Sequence, residues 1–526
     1  MSKPIAGSLL TMVAIAFVLT VIAPVRQPAA LASATAQPSS TRPPRAIPRT
    51  WDDQAMAELE LPLADPVGSP KHVSADYYYK IPVRNIYKGY PVYAPGHEPT
   101  DYKVWLAQQE PQLLWGEDPG GTRHAPPLND EADWIEAGAM VFDAPIAFST
   151  GSDLRRLGEP AFYEKTGIAL AKDGLFPYEQ YVVREKGKIE LGVLACAMCH
   201  TRVMSDGSTI KAAQGNLPTD RIFAYDVLRY GTEPLEPVRR LYRGFFAVPW
   251  LRPDPQARLD SMTREELAAL GEAEPPGVCA RHRTSLFYPP HVPDLIGLKE
   301  RRYLDATGLQ QHRSIVDLMR YAALNQGADD LASFDGFIPA GGPDFRTLPD
   351  PSTRDRYSDE QLYALALYLY SRQSPPNPNS FDARAKRGQE VFRAQGCGNC
   401  HTPPLYTNNK LTPTPGFKVP ADHHKKYDIL TVSVGTEPDL TMKTRRGTGY
   451  YKVPSLKGVW YRSMFGHGGW CATLEDWFDP NRLRDDYVPT GFKGAGVARR
   501  AVKGHEFGLK LPPDERAALI AFLRTL

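Results

Sequence analysis

The sequence lacks three features that would each fix its class at once: an excess of charge of one sign, a dense set of cysteines, and a second long apolar run. Its 62 basic and 60 acidic side chains leave a formal charge of +2. Without a concentrated cationic surface to neutralise phosphates, a nucleic-acid partner is excluded. Six cysteines in 526 residues are too few for a small disulfide-built fold, so they remain available for redox, metal or cofactor chemistry.

The one apolar run stands near the amino terminus. Lys3 precedes it, it covers about 9–23, and small residues follow at 30–36. This order is typical of a secretory signal, which we place at 1–36, with an uncleaved anchor as the alternative. No later run could stop export, so the sequence predicts a periplasmic protein without a stable membrane span after signal removal. The Pro-, Ser- and Thr-rich stretch 37–50 is interpreted as a disordered linker.

Four of the six cysteines fall in two copies of one pattern, Cys-x-x-Cys-His. The residues are Cys196, Cys199 and His200 in the first copy and Cys397, Cys400 and His401 in the second. In each copy the two thiols would form thioethers with the vinyl groups of a haem, and the histidine would bind the iron as proximal ligand. A structural zinc site needs four ligands, and a thioredoxin-like pair needs no following histidine. The spacing therefore predicts two covalently bound haem c groups.

Other landmarks recur in the same order around both motifs, which indicates a duplicated unit. The paired landmarks are Gly138 and Phe142 with Gly388 and Phe392, and the Val-Pro-x-Leu-x-Gly stretches 292–297 and 453–458. Each glycine lies in a helix-like stretch, where it lets another helix approach closely. Each unit ends in a predicted amphipathic helix, and Ser358 with Gln361 forms a capping box in the first. We interpret both helices as core packing.

The Pro-rich segment 374–380 is a linker between the two units. We expect one domain over 130–373, a second over 381–526, and an N-terminal extension, 51–129, that wraps the first domain. The predicted fold class is mainly α: two cytochrome c-like haem domains in tandem, with long loops. The 50 prolines favour such loops between short elements.

This two-domain order resembles the bacterial dihaem cytochrome c peroxidase and MauG superfamily. The likeness covers about 130–526 and lies in the haem motifs, in 453–458 and in the stretch 467–475. It implies that the first haem is reactive, with an open or displaceable distal site that meets peroxide. It also implies that the second haem is six-coordinate and relays electrons from a small redox protein. Many relatives hold calcium between the domains, although no ligand cluster can be named here.

The distal ligand of the second haem departs from the family pattern. Where relatives have Met or Tyr, this chain has Asn481, which is a poor ligand. Met464, His467 and His505 are the alternatives, and we favour His505, in a Gly-flanked loop before the last helix. A bis-histidine second haem resembles the dihaem rubber oxygenases. The alternative for His505 is a surface or propionate-bonding role.

At the first haem, relatives place a carboxylate over the distal face to move peroxide protons. Alignment of 314–317 with 473–476 puts Asp317 at that position, although its side chain is one methylene shorter than the family's Glu. The alternative is a solvated aspartate on a helix face. His291 is a candidate displaceable ligand. Trp250 is a candidate bridge between the haems, although buried packing is the expected role.

Three functions stay open, and the fold alone does not separate them. The leading hypothesis is an exported oxidoreductase that reduces peroxide at the first haem. The others are an oxygenase that cleaves an apolar substrate with dioxygen, and a non-enzymatic electron-transfer cytochrome. Outside the motifs, Cys279 and Cys471 either form an interdomain disulfide or stay as two buried thiols. His423 and His424, in a basic run, are expected in solvent.

Overall fold

A computed structural model describes residues 46–526, except 232 and 282. The predicted signal at 1–36 and most of the predicted linker 37–50 lie outside the described residues. Thr50, at the end of that linker, is fully buried, and its N–H donates to the Asp359 carboxylate (3.2 Å). The chain is therefore already packed at this point. Within the described part, no helix is both long enough and apolar enough to cross a membrane.

The helices are short and are spread over the whole of the described chain. The α-helices are α1 (Asp53–Ala57), α2 (Ala75–Lys80), α3 (Tyr102–Ala107), α4 (Glu131–Asp143), α5 (Ser152–Leu157), α6 (Pro160–Thr166), α7 (Cys196–His200), α8 (Thr219–Tyr230), α9 (Glu236–Phe246), α10 (Arg264–Glu272), α11 (Ile315–Ala323), α12 (Asp359–Ser371), α13 (Ala383–Ala394), α14 (His423–Lys426), α15 (Asp439–Met442), α16 (Leu474–Trp477) and α17 (Pro513–Arg524). Single 3₁₀ turns lie at Pro66–Gly68, Lys172–Gly174, Ala257–Asp260, Leu298–Glu300, Asp329–Leu331, Pro351–Thr353, Cys397–Asn399 and Pro480–Leu483. A π-helical turn, Leu324–Ala328, follows α11.

The strands concentrate in the first half of the chain. They are β1 (Ile86–Tyr87), β2 (Gly89–Tyr93), β3 (Leu113–Glu117), β4 (Arg123–His124), β5 (Ala147–Ser149), β6 (Leu175–Glu185), β7 (Lys188–Val193), β8 (Thr201–Val203), β9 (Thr209–Lys211), β10 (Leu411–Pro413) and β11 (Tyr450–Lys452). The largest sheet has the order β2-β6-β7-β5 and is antiparallel throughout.

The prediction of a mainly α fold is wrong, because the protein is a mixed α/β protein. About 35% of the chain is helical and 13% is strand. The insertion between Phe142 and Cys196, which has no counterpart in the second unit, supplies β5, β6 and β7. β6 is rich in aromatic and β-branched residues, which favour a pleated, half-buried surface. Its long pairing with β7 forms the hairpin at the centre of the sheet.

The N-terminal extension is built into the first unit and does not merely wrap it. Its strand β2 pairs with β6, with Tyr90 opposite Tyr181. Trp51 is fully buried and stacks on Tyr78 at 4.2 Å between ring centres. Each of these aromatic rings removes a large apolar area from water. The extension therefore forms part of the core of the first unit.

Two helix pairs repeat the same close contact. α4 packs on α12, and α13 packs on α17. A Cβ added to Gly138 would lie 2.0 Å from the Ala364 carbonyl oxygen, and one added to Gly388 would lie 1.9 Å from that of Ala518. The predicted close approach of a second helix to each glycine is confirmed. The predicted capping box at the start of α12 is confirmed too.

The two units meet through the segments that carry the Val-Pro repeat, and the contacts are reciprocal. The His291 N–H donates to the His467 carbonyl (2.9 Å), and the Lys452 N–H donates to the Ala306 carbonyl (2.9 Å). Each donor residue lies two positions before the proline of its own repeat. Each acceptor residue lies thirteen positions after the proline of its own repeat. Such an exchange between equivalent positions is the mark of a two-fold arrangement. The duplicated units are therefore related by an approximate two-fold axis.

Candidate functional site

A proline carbonyl of the repeat orients each predicted proximal histidine. His200 ends α7, and its Nδ1 lies 3.1 Å from the Pro293 carbonyl oxygen. His401 follows a 3₁₀ turn, and its Nδ1 lies 3.1 Å from the equivalent carbonyl, that of Pro454, and 3.1 Å from that of Tyr406. A carbonyl only accepts hydrogen bonds, so Nδ1 carries the proton and Nε2 keeps its lone pair. Both imidazoles thus have the tautomer of a metal ligand.

Both imidazoles are also held neutral. Burial, followed by the charge of Arg281, lowers the pKa of His200 to about 3. Burial lowers the pKa of His401 as well. A neutral imidazole is the form that binds a metal. The surroundings of both side chains therefore favour metal binding over protonation.

The four motif thiols are not joined in disulfides. Gln326 donates from Nε2 to the Cys196 sulfur (3.1 Å), and burial raises the pKa of Cys196 to about 12. A hydrogen bond joins Cys279 to Cys199, which lowers the pKa of Cys199 and raises that of Cys279. Cys279 and Cys471 are both buried and free. Of the two alternatives for this pair, the structure has the buried thiols.

His505 faces His401. The centres of the two imidazole rings are 6.2 Å apart. Two imidazoles on opposite sides of one metal ion, with metal–nitrogen distances of about 2 Å, hold their ring centres about 6 Å apart. Among the described residues, the buried Nδ1 of His505 has no hydrogen-bond partner. Burial, followed by the charge of His401, lowers the pKa of His505 to about 3. The two histidines would hold one metal ion between them, because their rings are suitably spaced and burial disfavours the protonated form of each.

The other candidates for that position are engaged elsewhere. His467 stacks on Tyr451 at 3.8 Å between ring centres, and its Nε2 lies 3.4 Å from a Glu437 carboxylate oxygen. Met464 lies beside Gly277 and Gly469 at the boundary between the units. Neither side chain is paired with His401 in the way that His505 is.

Asp317 is held by arginines. It lies in the first turn of α11 and is 1% exposed, so the alternative of a solvated aspartate is wrong. Arg313 and Arg320 donate to its two carboxylate oxygens, both with 2.9 Å contacts. Burial alone would raise the pKa of Asp317, but these hydrogen bonds lower it below its usual value. Within the described part of the chain, no hydrogen bond joins this carboxylate to the first haem motif.

A polar cluster that the sequence did not reveal lies beside the first motif. Arg281 hydrogen-bonds to the side chains of Asn325 and Tyr321, and the Tyr321 hydroxyl donates to Asp305 (3.1 Å). Arg281 stands two residues after Cys279, which is hydrogen-bonded to Cys199, and its charge helps to lower the pKa of His200. The π-helical turn Leu324–Ala328 changes the direction of the chain after α11. Asn325 then contacts Arg281, and Gln326 contacts Cys196 of the first Cys-x-x-Cys-His motif. Such turns are frequent at functional sites.

Two further arginines were missed although the repeat carries them. Arg301 donates to two carbonyls of 294–296, and Arg462 donates to two carbonyls of 455–457. Each arginine lies eight residues after the proline of its repeat. The repeat therefore extends to Val-Pro-x-Leu-x-Gly-x-x-x-Arg. The arginine fixes the loop whose carbonyl orients the proximal histidine.

The remaining expectations have mixed outcomes. His291 is half-buried at the boundary between the units, where its Nδ1 lies 2.7 Å from the Gly466 carbonyl oxygen. Trp250 stacks on Phe334, as expected for packing. The prediction that His423 lies in solvent is wrong. Its side chain is 6% exposed, and its Nδ1 lies 3.0 Å from the Tyr450 hydroxyl oxygen. In residues 46–526, with 232 and 282 left aside, no group of three or more His, Cys, Asp and Glu side chains could hold a metal ion.

No protein-family model matches the chain. An uncharacterized protein, y4iJ, of Sinorhizobium fredii (strain NBRC 101917 / NGR234) is 31% identical over 134 residues, or 19% of this chain and 22% of that protein. The match thus spans about a fifth of that relative. Hydrazine synthase of Kuenenia stuttgartiensis aligns with a TM-score of 0.29 and 15% identity over 58% of this chain and 92% of its own. A MauG-like protein associated with microbial copper homeostasis gives 0.27 and 16% over 56% and 87%. Neither score is high enough to carry an argument about function.

Proposed function

We propose that the protein is an exported dihaem c-type cytochrome oxidoreductase that reduces peroxide in the periplasm. The observation that carries this proposal is the repeated contact of His200 with the Pro293 carbonyl and of His401 with the Pro454 carbonyl, each at 3.1 Å. The same contact at equivalent positions behind both Cys-x-x-Cys-His motifs fits a haem at each. The haem groups, when bound, supply redox-active iron.

The second site suits electron transfer. His401 and His505 would hold the iron from both sides, as their 6.2 Å ring separation supports. A haem held by both histidines would supply electron transfer at this site. This site would accept electrons one at a time from a small redox protein and pass them to the first site.

The first site suits chemistry on a small molecule. α11 begins after Ser314 as α16 begins after Thr473, so the two helices occupy equivalent places in the repeat. In α16, the ring centre of Trp477 lies 5.4 Å from that of His505. By this equivalence α11 would border the first site on the side away from His200. Its polar groups would face the reacting molecule there.

Arg281 and Tyr321 are the side chains that we assign to binding and proton handling at the first site. A guanidinium carries five N–H donors. Asn325 and Tyr321 accept hydrogen bonds from some of the donors of Arg281. Reduction of one hydrogen peroxide to two waters consumes two electrons and two protons. The Tyr321 hydroxyl, bonded to Asp305, can hold and move a proton next to Arg281. Asp317 is less suited, because its ion pairs favour the carboxylate over the acid.

Peroxide turnover by the haem-loaded protein tests this proposal. With a reduced small cytochrome as donor, we expect rapid consumption of hydrogen peroxide, and roughly a tenfold or greater loss in Tyr321→Phe, in line with the loss of one acid–base group. Asp317→Asn, the matched control on the same helix, should keep most of the activity. A full loss in Asp317→Asn with an active Tyr321→Phe would reverse the assignment.

A second candidate function is a dioxygen-dependent oxygenase with an apolar substrate, because the His401–His505 pair resembles the bis-histidine haem of the dihaem rubber oxygenases. Stable binding of dioxygen together with indifference to peroxide would favour it. Indifference to both would favour a non-enzymatic electron carrier.

A further inference from the structure

A chain of hydrogen bonds links the two proximal histidines through the boundary between the units. It starts at His200, whose Nδ1 bonds to the Pro293 carbonyl. The next residue, Asp294, accepts a hydrogen bond from the Tyr461 hydroxyl at 2.7 Å. Tyr461 belongs to the second unit, so this bond crosses from one proximal loop to the other.

The chain continues to the second motif. Arg462, covalently next to Tyr461, donates from Nη2 to the Ser455 carbonyl (2.9 Å). The residue before Ser455 is Pro454, whose carbonyl accepts from the Nδ1 of His401. Four hydrogen bonds and the backbone between them therefore connect the two imidazoles.

The crossing point is buried and charged. Asp294 is 5% exposed and Tyr461 is 2% exposed. One oxygen of Asp294 accepts from the Ile296 N–H (3.0 Å), and the other accepts from Tyr461 and lies 3.8 Å from Arg462 Nε. Arg301 donates to the carbonyl of the same aspartate. The carboxylate is thus held in one position by both units.

The two units differ at this position. The residue after the repeat's proline is Asp294 in the first unit and the neutral Ser455 in the second. The Ser455 hydroxyl donates to the Leu405 carbonyl (2.6 Å) and stays within its own unit. At this position of the repeat, the first unit therefore has a buried carboxylate bonded to the other unit, whereas the second unit has a hydroxyl bonded within its own unit.

We propose that Asp294 is a positioning residue that joins the two proximal loops and lowers the reduction potential of the first haem relative to the second. The inference rests on the proposed function, since it requires a haem at each motif. A negative charge next to the carbonyl that binds the Nδ1 proton strengthens that bond and makes the imidazole a better donor to the iron. A more basic axial ligand stabilises ferric over ferrous iron, and hydrogen bonds around the ligand are one of the means by which proteins set potentials.

Two variants separate the charge from the bond. Asp294→Asn removes the charge and keeps an oxygen that can accept from Tyr461, so the midpoint potential of the first haem should shift upward. Tyr461→Phe removes the donor and leaves the carboxylate less neutralised, so the same potential should shift downward. In both variants the potential of the second haem should move less than that of the first. Ser455→Ala, at the equivalent position, is the matched control. It removes no charge, so both midpoint potentials should stay near their wild-type values.

The measurement is a redox titration of the intact haem-loaded protein, followed by optical and electron paramagnetic resonance spectra that distinguish the two haems. Haem content and resting spin state of each variant show whether its sites are intact. Opposite shifts at the first haem in the two variants would support the inference. Equal shifts at both haems, or no shift in a variant with two intact haems, would overturn this inference and leave the proposed function standing. A wild-type chain without covalent haem would overturn the proposed function and this inference with it.

Discussion

His505 adopts a backbone conformation that histidine seldom takes. Its φ of 48° lies in the left-handed region, which costs a residue with a side chain of the order of 1 kcal/mol or more. Two backbone contacts hold it there: its N–H donates to the Val434 carbonyl (2.6 Å), and its carbonyl accepts from Arg482 (2.8 Å). Local strain of this kind concentrates at functional sites. In the proposed account it aims the imidazole at His401.

Replacement of His505 by Ala tests this role. The second haem should change from low-spin to high-spin, because its iron loses one of two strong axial ligands. The measurement is the resting ferric spectrum of the loaded protein. His424→Ala, at an exposed histidine of the same unit, is the control and should leave the spectrum unchanged. A low-spin second haem in His505→Ala would retire the assignment.

Spacing that the chemistry fixes gives the most specific prediction of a residue's role, and the proximal roles of His200 and His401 stay predictions. The Cys-x-x-Cys-His motif leaves little choice for His200 and His401, whereas Asp317 was chosen by alignment to a family position. Arg313 and Arg320 stand four residues before and three residues after it, which are helix-neighbour spacings. That local pairing was visible in the sequence and competes with a catalytic role. The partners of Arg281, in contrast, come from distant parts of the chain.

The paired helices carry the clearest prediction at the scale of elements. In Gly388→Ala the new Cβ would meet the Ala518 carbonyl oxygen at 1.9 Å, so α13 and α17 would have to move apart. We expect a loss of stability of about 1–3 kcal/mol, as for overpacked cores. Denaturant unfolding measures it. Gly342→Ala, where a Cβ meets nothing within 4 Å, is the control, and an equal effect of both substitutions would contradict the proposed packing.

Elements were predictable where the duplication supplied two examples. α4, α12, α13 and α17 were found because each glycine or apolar stripe has a counterpart in the other unit. The sheet was missed because β2, β5, β6 and β7 lie in segments without a counterpart. A search for repeats gives no information about insertions. Only the alternation of apolar and polar residues could have indicated these strands. In β6 the buried positions do not alternate regularly, so this signal is weak.

At the scale of the molecule, the two units share a scaffold and differ in the side chains that lie near each predicted proximal histidine. Reciprocal hydrogen bonds at His291 and Lys452 fix their approximate two-fold arrangement. Behind each motif the repeat gives the same proximal histidine geometry. In front of the second motif lies His505, while a cluster around Arg281 lies beside the first. The proposed division of labour follows from this difference.

The proposed function requires two covalent haems in one chain, one held by two histidines and one open to a small molecule. The most direct test is the resting ferric protein, produced in a host that matures c-type cytochromes. Covalent haem content and the electron paramagnetic resonance spectrum are measured on the same sample. We expect two haems per chain, one low-spin and one high-spin. Fewer than two covalent haems, or two low-spin irons, would contradict it.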